Sequence, residues 1–376
     1  MTVWAITGGA GHVGLELAAK LLELGHTVRL LDRLSAESAS APSGCLYLEG
    51  DVCNEEDVWR LLSGGGRLAE VVCHLAGAGM SGMGMLDQRL CQRVNVGGTE
   101  LIVRCCRRLS AQSPVRLIFM SSYNVCFHGQ IVRGGDERQP YSPLESHTDY
   151  YGPSKTLAEQ AVLKANGGEL RTLSLRPGAI FGERETRHLP RIVSLMRYGA
   201  SLVSFGSASA LQDWLHVENL VSAILLSADA LCGPSPVCAG KAYFINDGEP
   251  VNTLEFMRPL ARAIGCRDKP LLRLPISVAN AAGWLNEILH FRLGVPILLC
   301  RAEVSKSAVH HTFGISRARA DLGYSPRITS SEGMRRVAAV YAVSSSAHGA
   351  GIRLTLVLLV LALLACAAAL FVAFPR

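Results

Sequence analysis

The chain has 376 residues, 49% of them hydrophobic, with 37 Lys and Arg against 31 Asp and Glu for a net charge of +6. This length carries one large domain or two small ones with ample core, and the scattered positive charge, with no long Lys/Arg run, excludes nucleic acid as the expected partner. Twelve cysteines without a C-x-x-C pair, and an adjacent His310-His311 pair without ligand spacing, exclude a disulfide framework and a metal site, and read as buried thiols in a reducing compartment.

The first element is an apolar run, Thr2 to Thr7 (TVWAIT), which predicts a buried strand and leaves no room for a secretory leader. Gly8, Gly11 and Gly14 follow at three-residue spacing. A helix is predicted over Leu15 to Leu24, stopped by Gly25, and the next strand (TVRLLD) ends on Asp32. In this setting each glycine has a task. Gly8 permits the tight turn, Gly11 lets a phosphate approach the backbone, and Gly14 lets the helix pack against the sheet. The helix start at His12 and Val13 then offers free N–H donors and a positive dipole end to a pyrophosphate. Asp32 would accept from the adenine ribose hydroxyls and repel a 2′-phosphate, which favours NAD. Arg33 beside it softens that preference and leaves NADP open.

Further strands are expected at Cys45 to Val52, Val71 to Gly77, Val115 to Ser122 and Leu170 to Gly182. Helices are expected from Asn54, over Gln88 to Leu109, and over Tyr151 to Ala165. Apolar strands alternating with helices predict an α/β fold, a Rossmann-type doubly wound parallel sheet. Residues 1–182 form the dinucleotide-binding domain. Residues 183–342 form mainly a smaller C-terminal substrate-binding domain, with some elements returning to the first. Small residues (343–353) make a linker to Leu354–Phe374, a 21-residue stretch whose one polar residue is Thr355. At helical rise it spans roughly 30 Å, the thickness of a bilayer core, so a C-terminal transmembrane helix is expected. Arg335, Arg336 and Arg353 precede it, which places the body in the cytosol.

Tyr151 and Lys155 stand at i, i+4 in the helix after the fifth strand, on one face. Tyr150 would pair with Ser154 instead. A phenol ionises near pH 10, about three units too high for a neutral-pH base, and an adjacent ammonium favours its phenolate. A serine at the end of the fifth strand (SSYNV) would hold a substrate oxygen.

The combination of T-G-x-x-G-x-x-G (Thr7 to Gly14), Asp51-Val52, HLAG (His74 to Gly77), NVGGT (Asn95 to Thr99), Ser121-Ser122, Y-x-x-x-K, RPGAIFG (Arg176 to Gly182), LQDWLHVENL (Leu211 to Leu220) and DLGYSP (Asp321 to Pro326) resembles the extended short-chain dehydrogenase/reductases over residues 2–340. FHGQIVRGGDERQPY and the apolar tail resemble their 3β-hydroxysteroid dehydrogenase-like branch, which includes sterol-4-carboxylate dehydrogenases. The segment VCFHG departs from the tyrosine-containing form common in the family and alters a pocket wall.

The resemblance implies an NAD-dependent oxidation of a steroid or sterol 3β-hydroxyl. Tyr151 would accept the proton, and Lys155 would bind the nicotinamide ribose and lower the phenol's pKa. Ser122, with Ser121 as alternative, would polarise the substrate oxygen. It also implies Asp51 and Val52 at the adenine, Ala76 and Gly77 along the cofactor, Pro177 near the nicotinamide amide, and Asn95 as a structural tie between strands. A homodimer through the helices at Gln88 to Leu109 and Tyr151 to Ala165, and the endoplasmic reticulum as the membrane, follow from the same analogy. Pro275 to Leu299 is apolar but broken by Glu287, His290 and Arg292, too interrupted to span a bilayer. It reads as a core helix over the pocket or as an interfacial helix passing a lipid-like substrate. Two other functions fit the cofactor fold. One is a sugar-nucleotide epimerase or dehydratase, whose diphosphate Arg184, Arg187 and Arg191 would hold. The other is a non-catalytic NAD(P) sensor.

Overall fold

The computed structural model describes residues 1–345. Leu354–Phe374 lies outside the described residues, and among these no helix is long and apolar enough to cross a membrane. The centre is a seven-stranded parallel sheet of β1 (Val3–Thr7), β2 (Thr27–Asp32), β3 (Leu46–Glu49), β4 (Val71–His74), β5 (Val115–Met120), β7 (Leu170–Pro177) and β11 (Lys241–Ile245). Their order across the sheet is β11-β7-β5-β4-β1-β2-β3. Strands this apolar need cover on both faces. Within β1 the alternation is plain. Trp4 and Ile6 join the core formed with α1 (His12–Glu23) and α7 (Val217–Ala230), while Val3 and Ala5 join the one formed with α2 (Glu55–Ser63), α4 (Thr99–Ser110) and α5 (Tyr151–Lys164). The chain builds outward in opposite directions from β1 and β4, so a crevice opens between their C-terminal ends.

Two expected elements differ and one element is additional. The strand expected over Leu170 to Gly182 breaks at Gly178, where a Cβ would lie 2.9 Å from the Asp213 carbonyl oxygen. Beyond it β8 (Ala179–Phe181) leaves the main sheet and pairs with β10 (Trp214–His216). The edge strand β11, only five residues long, was not anticipated. The helix expected over Gln88 to Leu109 divides into α3 (Gln88–Cys91), a wide π turn over Gln92–Gly98, and α4.

Helix α11 (Ser316–Leu322) returns to the main core beside α7 and β11, and the remaining elements, α6 (His188–Arg197) among them, form the second lobe and two small sheets, β6 (Val132–Gly135) with β13 (His311–Phe313) and β9 (Val203–Phe205) with β12 (Leu272–Leu274). Phe181, Trp214, Phe256, Leu260, Met334 and Val337 pack between α8 (Thr253–Ala263) and α12 (Ser330–Ser345). His311 is buried, stacked on Phe127 and Tyr123 at 4.2 and 5.1 Å. Helix α9 (Ile276–Leu293) packs on α10 (Arg301–Ala308) yet leaves Trp284, Ile288 and Phe291 47%, 36% and 67% exposed. Their spacing puts them on one face, so α9 is not wholly a core helix. No disulfide joins the described cysteines, most of which are buried.

One buried ion pair locks α5 to the sheet. Glu159 is fully buried and accepts from Arg176 Nη2 at 2.6 Å, Arg176 Nε at 3.0 Å and Ser174 Oγ at 2.7 Å. Glu159→Gln would leave the guanidinium uncompensated and is expected to cost about 3–5 kcal/mol in urea unfolding. Removing Arg138 from its solvent-exposed pair with Asp136 should leave the midpoint unchanged.

Candidate functional site

The glycine turn lies at the C-terminal end of β1. Gly8 has φ +68°, and a Cβ there would lie 2.8 Å from the Ala76 nitrogen. A Cβ on Gly14 would lie 2.6 Å from the Gly8 carbonyl oxygen and 2.7 Å from that of Gly9, so only glycine lets α1 start this close to the turn. At Gly11 a Cβ would meet only the Gly8 oxygen, at 3.1 Å, which leaves its outer side open. No side chain caps α1 at Gly11 and no acidic residue occupies its first turn. The N–H groups of His12, Val13 and Gly14 therefore suit an anion, as a dinucleotide pyrophosphate requires. The His12 ring rests against Gly182, and burial lowers its pKa.

Asp32 reaches this turn from β2. Its Oδ2 accepts from Ala10 N–H at 3.1 Å and its Oδ1 from Arg33 N–H at 2.7 Å, while the Arg33 side chain is exposed. Asp51 accepts from Cys53 N–H at 3.0 Å and pairs with Arg93 at 3.2 Å. Burial opposes its ionisation, yet these two partners hold its carboxyl below the usual range. Val52 is buried against Gly98. Ala76 and Gly77 continue from β4, and a Cβ on Gly77 would lie 3.2 Å from Lys155 Nζ. Pro177 is buried at the end of β7.

A hydrogen-bond chain runs beneath the turn. Ala76 N–H donates to Thr7 Oγ1 (3.2 Å), which is 2.6 Å from His74 Nδ1. His74 Nε2 is 2.9 Å from Thr99 Oγ1, and that hydroxyl donates to the Asn95 carbonyl at 2.6 Å. Since Thr99 spends its proton on Asn95, the network assigns the His74 proton to Nε2 and makes Nδ1 the acceptor. Full burial, with Lys155 adding to it, lowers the His74 pKa to about 3 and keeps the ring neutral. The Asn95 amide accepts from Ala78 N–H (2.8 Å) and donates to the Ala78 carbonyl (2.9 Å) and to Ser154 Oγ (2.8 Å). Asn95 is structural as expected, but it joins the loop after β4 to α5 rather than strand to strand.

Tyr151 and Lys155 both point at the end of β5. Lys155 is buried and its Nζ donates to the Met120 carbonyl at 2.8 Å. The Ser122 hydroxyl accepts from Asn124 N–H (3.2 Å) and Nδ2 (3.0 Å) and hydrogen-bonds the Tyr151 phenol. Ser121 faces Glu159 instead, so Ser122 is the serine beside the phenol. One expectation reverses: the Tyr151 pKa lies well above the usual phenol range. Burial is the largest cause; the Ser122 hydrogen bond opposes it, while Asp149 and Cys91 add to it. Burial also lowers Lys155 to about 8, against a smaller upward pull from Glu159.

Two contributors escaped the sequence reading. Asp149 caps the start of α5 by accepting from Gly152 N–H at 2.8 Å, a role its place two residues ahead of Tyr151 would have suggested. Lys306 on α10 lies 3.6 Å from Asp149 and 5.7 Å from the centre of the Tyr151 ring. Nothing in its local sequence links it to residues so far back in the chain. The three arginines considered for a diphosphate do not converge. Arg184 is exposed and pairs with Glu16 at 3.5 Å, Arg187 is exposed, and Arg191 is bound to Glu303 and the Ile297 and Leu298 carbonyls. Among the described residues, Glu183, His216 and Glu218 bring potential ligand atoms within 4.8 Å of one another. They already have protein partners: His216 bonds Glu183 at 3.1 Å and Glu218 pairs with Arg336 at 3.3 Å.

Residues 5–276 match the 3-beta hydroxysteroid dehydrogenase/isomerase family. Short-chain dehydrogenase/reductase family 42E member 1 of Danio rerio is 43% identical over 335 residues, 86% of this chain and 84% of the relative. A 3-beta-hydroxysteroid dehydrogenase of Mycolicibacterium neoaurum is 34% identical over 338 residues, 88% of both chains. Among solved structures, a UDP-glucose 4-epimerase of Thermus thermophilus in complex with NAD superposes with a TM-score of 0.65 at 22% identity, covering 91% of this chain and 99% of that one. A likeness at that identity establishes the shared fold.

The turn geometry is directly testable. Gly14→Ala should push α1 away from the turn and cost about 1–3 kcal/mol in urea unfolding. Gly11→Ala, with its single tight contact, should cost measurably less.

Proposed function

The chain belongs to the 3-beta hydroxysteroid dehydrogenase/isomerase family, and on that footing we propose that it oxidises a secondary alcohol of a lipophilic substrate, the 3β-hydroxyl of a steroid or sterol, with NAD. The observation that carries this reading is the joint anchoring of Tyr151 and Lys155 at the end of β5, beside the open start of α1. The N–H groups of His12, Val13 and Gly14 would hold the pyrophosphate, which the missing side chain of Gly11 lets approach, and Asp32 the adenine ribose. Asp51 and Val52 would flank the adenine, and Ala76, Gly77, Lys155 and Pro177 the nicotinamide end. Bound NAD supplies the hydride acceptor.

The chain's own residues handle the proton. Ser122 holds the substrate oxygen and Tyr151 Oη takes the proton as the carbinol becomes a carbonyl. Lys155, beside Gly77, would donate a hydrogen bond to the nicotinamide ribose. Because burial favours the neutral phenol, Tyr151 is poised to give a proton, which suits carbonyl reduction. Oxidation draws on every cation near the ring to stabilise the phenolate.

A lipophilic substrate is supported by two further features. Trp284, Ile288 and Phe291 give α9 an exposed apolar face, and Leu354–Phe374, outside the described residues, has the length and composition of a bilayer anchor. The body would then work at a membrane surface facing the cytosol, the endoplasmic reticulum by family analogy. The engaged Arg191 weighs against a sugar nucleotide, whose diphosphate needs free cations.

Full-length protein given NAD and a 3β-hydroxysteroid should form NADH, read by absorbance. Tyr151→Phe should lower that rate by about 10²–10⁴-fold with NAD affinity retained. Turnover of a UDP-sugar without net NADH would overturn the steroid reading. The ribose contact has its own signature. Lys155 is an ammonium below pH about 8 and loses its charge above it. The NAD dissociation constant should therefore rise as pH passes that value, and Lys155→Met should show no such inflection.

A further inference from the structure

Lys306 comes from α10, in the lobe opposite the glycine turn, and its side chain is mostly buried, 19% exposed. Its Nζ lies 3.6 Å from Asp149 Oδ2 and 5.7 Å from the centre of the Tyr151 ring. Asp149 cannot withdraw from the phenol, because its Oδ1 accepts from Gly152 N–H at 2.8 Å and fixes the start of α5. The capping geometry thus places a carboxylate beside a phenol that must carry negative charge during proton transfer. Left alone, that carboxylate opposes the phenolate.

We propose that Lys306 is a positioning residue that sets the proton affinity of Tyr151 by neutralising Asp149 and laying a positive charge over the phenol ring. A cation over an aromatic face is attracted to its π electrons, and the attraction grows when the ring becomes a phenolate. The same ammonium holds the second lobe against α5. The inference rests on the reading of Tyr151 as the proton-transfer group.

The other groups facing this pair are accounted for. Tyr151 also meets Ser122, Tyr123 and Cys91, and Lys155 stands one helical turn on with its Nζ on the Met120 carbonyl. Lys306 also faces His147, His188, Cys300 and His311. Burial leads the downward shift of all three histidines, so they add little positive charge at neutral pH. Asp149 is the carboxylate that meets both Lys306 and Tyr151.

The test replaces Tyr151 in the full-length chain with a difluorinated tyrosine, whose phenol ionises at lower pH, and follows its titration by fluorine NMR. Adding Lys306→Met should raise the midpoint by about half a pH unit or more, whereas Lys306→Arg should leave it in place. Asp149→Asn retains an amide oxygen for the helix cap and should lower the midpoint. A midpoint unmoved or lowered by Lys306→Met overturns the proposal, as does an equal rise in Lys306→Arg. If Lys306→Met does not fold, Asp149→Asn decides: a midpoint that stays or rises overturns it. The readout needs no substrate, so a failure of steroid oxidation is scored separately.

Discussion

Helix α5 buries charge and hydroxyls where a helix normally buries hydrocarbon, and the site follows from how those groups are satisfied. Tyr151, Ser154, Lys155, Thr156 and Glu159 are all nearly inaccessible to solvent. Each would be costly if left without a partner. Arg176 answers Glu159, the Met120 carbonyl answers Lys155, and Asn95 answers Ser154. Together these contacts fix the position and rotation of α5. Tyr151 and Lys155 are held in place as a by-product of satisfying the buried helix.

The same accounting explains why the glycine turn and the proton-handling residues keep a fixed relation. Thr7 ends β1, His74 ends β4, and Thr99 begins α4; the chain of hydrogen bonds through them finishes on the Asn95 backbone. The Asn95 side chain then reaches α5. The turn that would receive a pyrophosphate and the helix that carries the phenol therefore share one rigid polar network across the crevice. A neutral His74 sits at its centre, because full burial disfavours a charged ring.

Much of this arrangement was legible in the sequence. Gly8, Gly11 and Gly14 have spacing and context that few other structures require, and Tyr151 and Lys155 sit at a fixed helical interval. Local pattern sufficed for these. It failed where a distant partner decides the outcome. Gly178 breaks its strand because the Asp213 carbonyl passes close by, and β11 is too short to show a period of its own. The Tyr151 pKa goes up rather than down because the phenol is deeply buried, which helical spacing does not reveal, and the Lys155 ammonium is engaged by the Met120 carbonyl. Lys306 arrives from a separate lobe and carries no local signature.

The wide turn at Gln92–Gly98 has a consequence for how this part of the chain tolerates change in length. A π turn houses one residue more than an α turn, so it absorbs an extra residue while α3 and α4 keep their phase. Excising one residue there would regularise the helix with little rotation of its two arms, but would shift the residues inside the turn around the axis. Asn95, in the middle, would lose its hold on Ala78 and Ser154 together. The irregularity is thus a spacer whose length is set by the target it must reach.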